Sequence, residues 1–122
     1  MRIQIETVPH GQQRYETTGD WWWDPDDTPQ MRVSALDDWR HGVLIAVHEL
    51  VEALLCKAHG VSMEAVDEWD MGQGKELDEP GDDPRAPYHR EHEFAGCVER
   101  LLAHELGIDW NDYEDALDAL YE

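Results

Sequence analysis

The chain has 122 residues, which is enough for one domain with a single hydrophobic core, and its 41% hydrophobic content does not favour intrinsic disorder. Nine Lys and Arg residues against 29 Asp and Glu residues give a formal net charge of −20. This charge argues against direct binding of nucleic acid or of an anionic membrane, because both need clustered basic side chains, and it favours cations or a basic protein as partners.

Cysteine content and hydropathy predict the cellular compartment of the protein. Cys56 and Cys97 are too few for a disulfide framework. The first residues alternate polar and apolar side chains and lack the apolar stretch of a signal peptide. The longest apolar run, Val43 to Val47, is too short to span a bilayer. We therefore expect a cytoplasmic single domain over residues 1–122 with both thiols reduced.

The first third, residues 1–36, is strand-rich. Residues 2–8 alternate with period two, residues 15–23 are rich in Thr and aromatic side chains, and residues 30–36 follow a turn rich in Asp and Pro. A hairpin or a three-stranded antiparallel sheet is predicted. In a strand, the outer indoles of Trp21-Trp22-Trp23 share one face, which either packs against the core or offers an aromatic platform to a partner.

Residues 37–122 are predicted to be mostly helical. A first long helix over 39–59 has an Asp cap before it and Gly60 after it, and Ser62 can cap a short helix. An acidic loop rich in Pro and Gly follows at about 71–87. A second long helix is predicted over about 88–106, and a short amphipathic helix ends the chain.

These elements predict an α+β fold in which a small N-terminal antiparallel sheet packs against two long helices and two short ones.

Two polar residues fall on the buried side of the first long helix. On a helical wheel His48 lies about 40° from Leu44 of the apolar stripe, and Glu52 lies about 80° from it. A carboxylate that faces a core is unfavourable unless it is paired, protonated or bound to a cation.

His48 and Glu52 are one helical turn apart, so they can reach the same ion and are predicted metal ligands. The alternative is a hydrogen-bonded pair at the margin of the core. A second cluster, Tyr88-His89-Arg90-Glu91-His92-Glu93, opens the other long helix. His89 and His92 are candidate further ligands of one ion between the helices. Glu91 and Glu93 are other possible ligands, although acids also favour a helix N-terminus for its dipole alone.

The segment Val47-His48-Glu49-Leu50-Val51-Glu52-Ala53-Leu54 resembles the active-site helix of small zincin metallopeptidases, whose motif is His-Glu-x-x-His. The order of elements is also similar: a short sheet, an edge strand (here residues 30–33), the motif helix and a later helix with another ligand. The resemblance implies a zincin-like fold and a zinc ion held by His48 and by His89 or His92. It also implies that Glu49 is the general base that activates water.

The chain departs from the zincin motif at Glu52, which stands where the second motif His would be. A carboxylate ligand makes the ion a weaker Lewis acid, and the resulting donor set is similar to the two-histidine, one-carboxylate set that suits iron(II). The resemblance to zincins implies zinc as the first expectation, and iron or manganese are the alternatives.

Two classes of function are consistent with these residues. The first is a zinc-dependent hydrolase that acts on a peptide or protein substrate. The second is an acidic interaction or inhibitor protein that imitates nucleic acid and uses a metal only for structure, as small phage proteins of similar size and charge do. A nucleotide pyrophosphohydrolase with magnesium on Glu49, Glu52 and Glu93 is less favoured, because it leaves the histidines without a role.

Overall fold

The computed structural model describes all 122 residues and confirms the α+β class, with one three-stranded sheet and four α-helices. The strands are β1 (Gln4–Val8), β2 (Gly19–Trp23) and β3 (Pro29–Ser34). The helices are α1 (Trp39–His59), α2 (Met63–Met71), α3 (His89–Glu105) and α4 (Trp110–Ala119). No helix combines the length and the apolar character that crossing a bilayer requires.

The sheet is mixed, and its strand order is β1-β3-β2. β2 and β3 form an antiparallel hairpin, whereas β1 pairs in parallel with the other side of β3. The prediction of an antiparallel sheet is therefore wrong for β1. Residues 9–18 separate β1 from β2, so these two strands do not form a hairpin and β1 pairs with β3 instead. The prediction of an edge strand at residues 30–33 is also wrong. β3 is the central strand, and both of its sides are already hydrogen-bonded.

One face of the sheet packs against α1. Trp21 and Met31 are buried there with Ala53 and Cys56 of the helix. The indole Nε1 of Trp23 donates to the carbonyl of Ala53 at 3.4 Å. This arrangement confirms that the outer two indoles face the core.

Trp22 lies on the opposite face of the sheet, as the alternation predicts. The guanidinium carbons of Arg14 and Arg32 lie 5.2 and 5.1 Å from its ring centroid, which is the range of cation–π contact. The chain's own cations therefore cover this indole.

α1 begins and ends at the predicted residues. The Asp38 side chain accepts a hydrogen bond from the backbone N–H of Arg40, and Gly60 closes the helix in the left-handed region at φ 73°. α3 packs along α1. α4 docks through Tyr113, which is buried with Leu44 and Ala103. The packing of α3 on α1 brings the two predicted ligand clusters together.

Candidate metal centre

Three side-chain donor atoms from α1 and α3 form a small triangle. His48 Nε2 lies 3.1 Å from Glu52 Oε2 and 3.2 Å from His92 Nδ1, and His92 Nδ1 lies 3.0 Å from Glu52 Oε2. Two ligands of a tetrahedral zinc ion at about 2.05 Å lie about 3.3 Å apart, close to these separations. We call these residues the metal triad, and they are a group that can hold a metal ion.

The outer nitrogens of both imidazoles are engaged by carboxylates. His48 Nδ1 lies 2.7 Å from Glu99 Oε1, and His92 Nε2 lies 3.0 Å from Asp82 Oδ1. An ionised carboxylate only accepts, so these outer nitrogens carry protons and donate. In a neutral imidazole the inner nitrogen then has a free lone pair. Both lone pairs point at the same place, as in the carboxylate–histidine–metal arrangement of known metal sites.

Glu52 is fixed so that one of its oxygens faces the triad. The indole of Trp21 donates to Oε1 at 2.9 Å, and Oε2 contacts both histidines. Burial by itself raises the pKa of Glu52, but the hydrogen bonds from His48 and His92 outweigh burial and lower the pKa to about 2. Glu52 is therefore ionised, as a ligand must be.

In the absence of an ion, the carboxylates around the triad raise the pKa of both histidines. Burial lowers the pKa of His48, but hydrogen bonds to Glu52 and Glu99 outweigh burial and raise the pKa to about 11. In the absence of an ion, extra protons on the imidazoles thus supply the charge that Glu52 requires. A metal ion would replace those protons at the same position.

Glu49 is the other carboxylate of α1 at this site, and its environment is different. It packs against β2, where a Cβ on Gly19 would lie 2.6 Å from Glu49 Oε1. No protein group donates a hydrogen bond to its side chain. Burial and the nearby charge of Glu52 raise the pKa of Glu49 well above its ordinary value, despite the opposing effect of His48. The two carboxylates therefore suit different roles, Glu52 that of an ionised ligand and Glu49 that of a group that takes up a proton.

A cavity of about 930 Å³ opens beside the triad and is lined by all three of its residues and by Glu49. Apart from the two histidines of the triad, the only basic residues that line it are Lys75 and Arg100. The cavity is large enough for part of a peptide or another small substrate. Its negative lining favours a positively charged occupant.

The other predicted ligands lie outside the triad. His89 Nδ1 contacts the carbonyl of Gly81 at 2.9 Å. The buried carboxylate of Glu91 pairs with His59 at 2.8 Å, and the exposed Glu93 lies 3.8 Å from His89. Of the candidate ligands on α3, the structure therefore brings only His92 together with His48 and Glu52.

Glu99 and Asp82 were not predicted from the sequence, although both orient the triad. Glu99 follows His92 by seven residues, which is two helical turns, so the two share a face of α3. That spacing is a signal that could have identified Glu99. Asp82 lies in the loop before α3, where no periodicity marks it.

Gly81 is packed so tightly against the triad that a side chain cannot fit. A Cβ there would lie 2.6 Å from His92 Nδ1 and 2.8 Å from the ring of Tyr88. We expect Gly81→Ala to displace the His92 ring and to weaken zinc affinity roughly tenfold or more, as other changes that disturb ligand orientation do.

A competition titration with a chromophoric chelator measures the effect of Gly81→Ala. Gly96→Ala on α3 is the control, since nothing lies within 4 Å of its Cβ position. Ala there is expected to stabilise the helix by up to about 1 kcal/mol and to leave zinc affinity unchanged. Equal affinity of both variants for zinc would show that Gly81 does not position His92.

Asp70 is another carboxyl in the cavity wall whose pKa is shifted. It accepts hydrogen bonds from the hydroxyls of Tyr15 and Tyr88. Burial raises the pKa of Asp70 to about 6, although both tyrosine hydroxyls oppose the shift. The carboxylate form is therefore less favourable in the folded protein than in the unfolded chain.

We expect Asp70→Asn to stabilise the protein at pH 8. A pKa about 2 units above its unfolded value of 3.8 corresponds to a destabilisation of about 3 kcal/mol at high pH. The destabilisation is complete above pH 6 and disappears as the pH falls to about 4. Urea unfolding at pH 8 and pH 4 measures the difference, with the exposed Asp78→Asn as the control for loss of one negative charge. An increase in the free energy of unfolding that is the same at both pH values would contradict a raised pKa of Asp70 as the cause.

Comparison of the chain with protein-family models, with curated proteins and with solved structures found no match in any of the three. The geometry of the chain supports a site for one metal ion, formed by two histidines and one glutamate.

Proposed function

We propose that the protein is a zincin-like metallohydrolase in which the metal triad holds one zinc ion and Glu49 is the general base. The observation that supports the proposal is the triangle of donor atoms 3.0–3.2 Å apart, with an unpaired carboxylate in the same cavity wall. Two histidines and one glutamate form the ligand set of several zinc peptidases, and three protein ligands leave one position open for chemistry.

Different residues of the chain are assigned proton transfer and orientation of the ligands. A bound zinc ion supplies Lewis acidity toward a carbonyl oxygen. Glu49, with its raised pKa and no hydrogen-bond donor, accepts a proton from the attacking water and can return it to the leaving group. Glu99 and Asp82 hold the two imidazoles in the tautomer that leaves the inner nitrogens free.

The metal is proposed to be zinc, with iron or manganese as alternatives. Elemental analysis of protein purified without chelators distinguishes them, and one equivalent of one metal is expected. Hydrolysis is then tested on a mixture of peptides of varied sequence, followed by mass spectrometry. Cleavage is expected from the metal-loaded protein and not from the protein treated with chelator. One equivalent of metal with no metal-dependent cleavage would overturn the hydrolase assignment and leave the metal site.

The substrate is proposed to be a peptide or protein segment with Lys or Arg near the scissile bond. The support is the cavity lining, in which acids greatly outnumber Lys75 and Arg100. In the peptide mixture we expect cleavage sites to be enriched in basic residues and the rate to fall as salt increases, because salt screens the attraction. Cleavage that prefers acidic segments would contradict this choice.

An acidic interaction protein is the second candidate, and the net charge of −20 favours it. In this function the metal serves only the structure and the partner is a basic protein. Titration of the metal-loaded protein with a basic protein at low salt and at about 0.3 M salt tests it, since a charge-driven complex weakens steeply. No binding at low salt would remove this candidate.

A further inference from the structure

A chain of hydrogen bonds connects α4 to the metal triad. The hydroxyl of Tyr113 on α4 donates to Glu99 Oε2 at 2.6 Å. The other oxygen of Glu99, Oε1, lies 2.7 Å from His48 Nδ1. Three helices therefore meet in one line of contacts, in which Glu99 of α3 lies between Tyr113 and the ligand on α1.

Packing restrains Tyr113. Its side chain is only 1% exposed and lies in an apolar cluster with Leu44 and Ala103. The ring also contacts His41, with the ring centroids 5.3 Å apart. Because the ring is packed among these side chains, its hydroxyl is held against Glu99 while α4 is docked.

We propose that Tyr113 is a positioning residue for the metal site and that docking of α4 and binding of the metal stabilise each other through Glu99. This inference rests on the proposed metal site, and it adds the C-terminal helix to the elements that control that site. The carboxylate of Glu99 is engaged at both oxygens, so it cannot rotate. It therefore keeps the proton of His48 on Nδ1 and keeps Nε2 directed at the ion.

The coupling must act in both directions. If docked α4 raises the affinity of the triad for a metal ion, then the ion raises the stability of docked α4 by the same factor. Metal occupancy should therefore be detectable in α4, although no residue of this helix is in the triad. A purely structural tyrosine would support the core without this dependence.

Tyr113→Phe tests the link, because it keeps the ring and removes only the hydroxyl. We expect the dissociation constant for zinc to rise about tenfold, the low end of the range for partners of metal ligands. The absorption spectrum of the cobalt(II)-loaded variant should change, since the His48 ring is less well oriented. Tyr121→Phe, near the C-terminus and half exposed, is the matched control and should leave both readouts unchanged.

Hydrogen exchange supplies the second readout. Zinc is expected to slow amide exchange in residues 110–119 of the wild-type chain and to slow it much less in Tyr113→Phe. If Tyr113→Phe does not fold, Glu99→Ala is measured instead, because it removes the carboxylate that contacts both Tyr113 and His48. No zinc binding by the wild-type chain would overturn the metal site and this inference together. Zinc binding with equal affinity, cobalt spectrum and α4 protection in variant and wild type would overturn this inference alone.

Discussion

Replacing His92 by Asn should weaken zinc binding by about a hundredfold. The free energy of zinc binding at structural sites with four ligands is roughly 10–16 kcal/mol, or about 3 kcal/mol for each ligand. At 1.4 kcal/mol for each factor of ten, loss of one ligand corresponds to about two orders of magnitude. Asn keeps a polar side chain at the position, so the loss reports on the missing imidazole. A chelator competition titration measures both dissociation constants.

His89→Asn is the matched control for this experiment. His89 lies on the same helix three residues earlier, but its Nδ1 contacts the carbonyl of Gly81 and not the triad. Its substitution is expected to change zinc affinity by less than about threefold, since it removes no ligand. An equal loss in both variants, or no loss in His92→Asn, would show that the triad is not the binding site.

Glu49→Gln is expected to lower the rate of hydrolysis by about 10²–10⁴-fold while the zinc content stays at one equivalent. The amide has nearly the same shape but cannot accept the proton of the attacking water. Because burial raises the pKa of Glu49, the wild-type rate should also increase with pH as this carboxyl loses its proton.

Single-turnover rates and metal analysis of the same preparation measure the effect of Glu49→Gln. Glu64→Gln is the control, because Glu64 is exposed on α2 and does not line the cavity. It should retain the wild-type rate. A variant at position 49 that keeps both its metal and its full rate would remove the general-base role.

Local patterns were sufficient to predict α1 and its two inward-facing candidate ligands. The Asp38 cap and Gly60 define its ends, and the spacing of four residues places His48 and Glu52 on one side. These features depend only on neighbouring residues. The choice between His89 and His92 could not be made in the same way, because it depends on how α3 is rotated against α1.

The sheet, too, could be predicted only in part from local sequence. Alternation in residues 2–8, the Thr and aromatic content of residues 15–23 and the turn before residues 30–36 predicted strands close to β1, β2 and β3. None of these patterns carries information on strand direction. The parallel pairing of β1 with β3 is a contact between segments more than twenty residues apart. Of the two carboxylates that orient the triad, Glu99 could be identified from its helical spacing to His92. Asp82 could not, because its contact with His92 depends on how the loop before α3 folds.

The central claim is that the inner atoms of His48, Glu52 and His92 hold one metal ion. Diffraction from crystals grown with one equivalent of zinc, with data collected on both sides of the zinc absorption edge, tests it most directly. We predict one strong anomalous peak about 2.0–2.2 Å from His48 Nε2, Glu52 Oε2 and His92 Nδ1. A well-ordered triad with no peak at its centre, its three atoms joined only by hydrogen bonds, would contradict the claim.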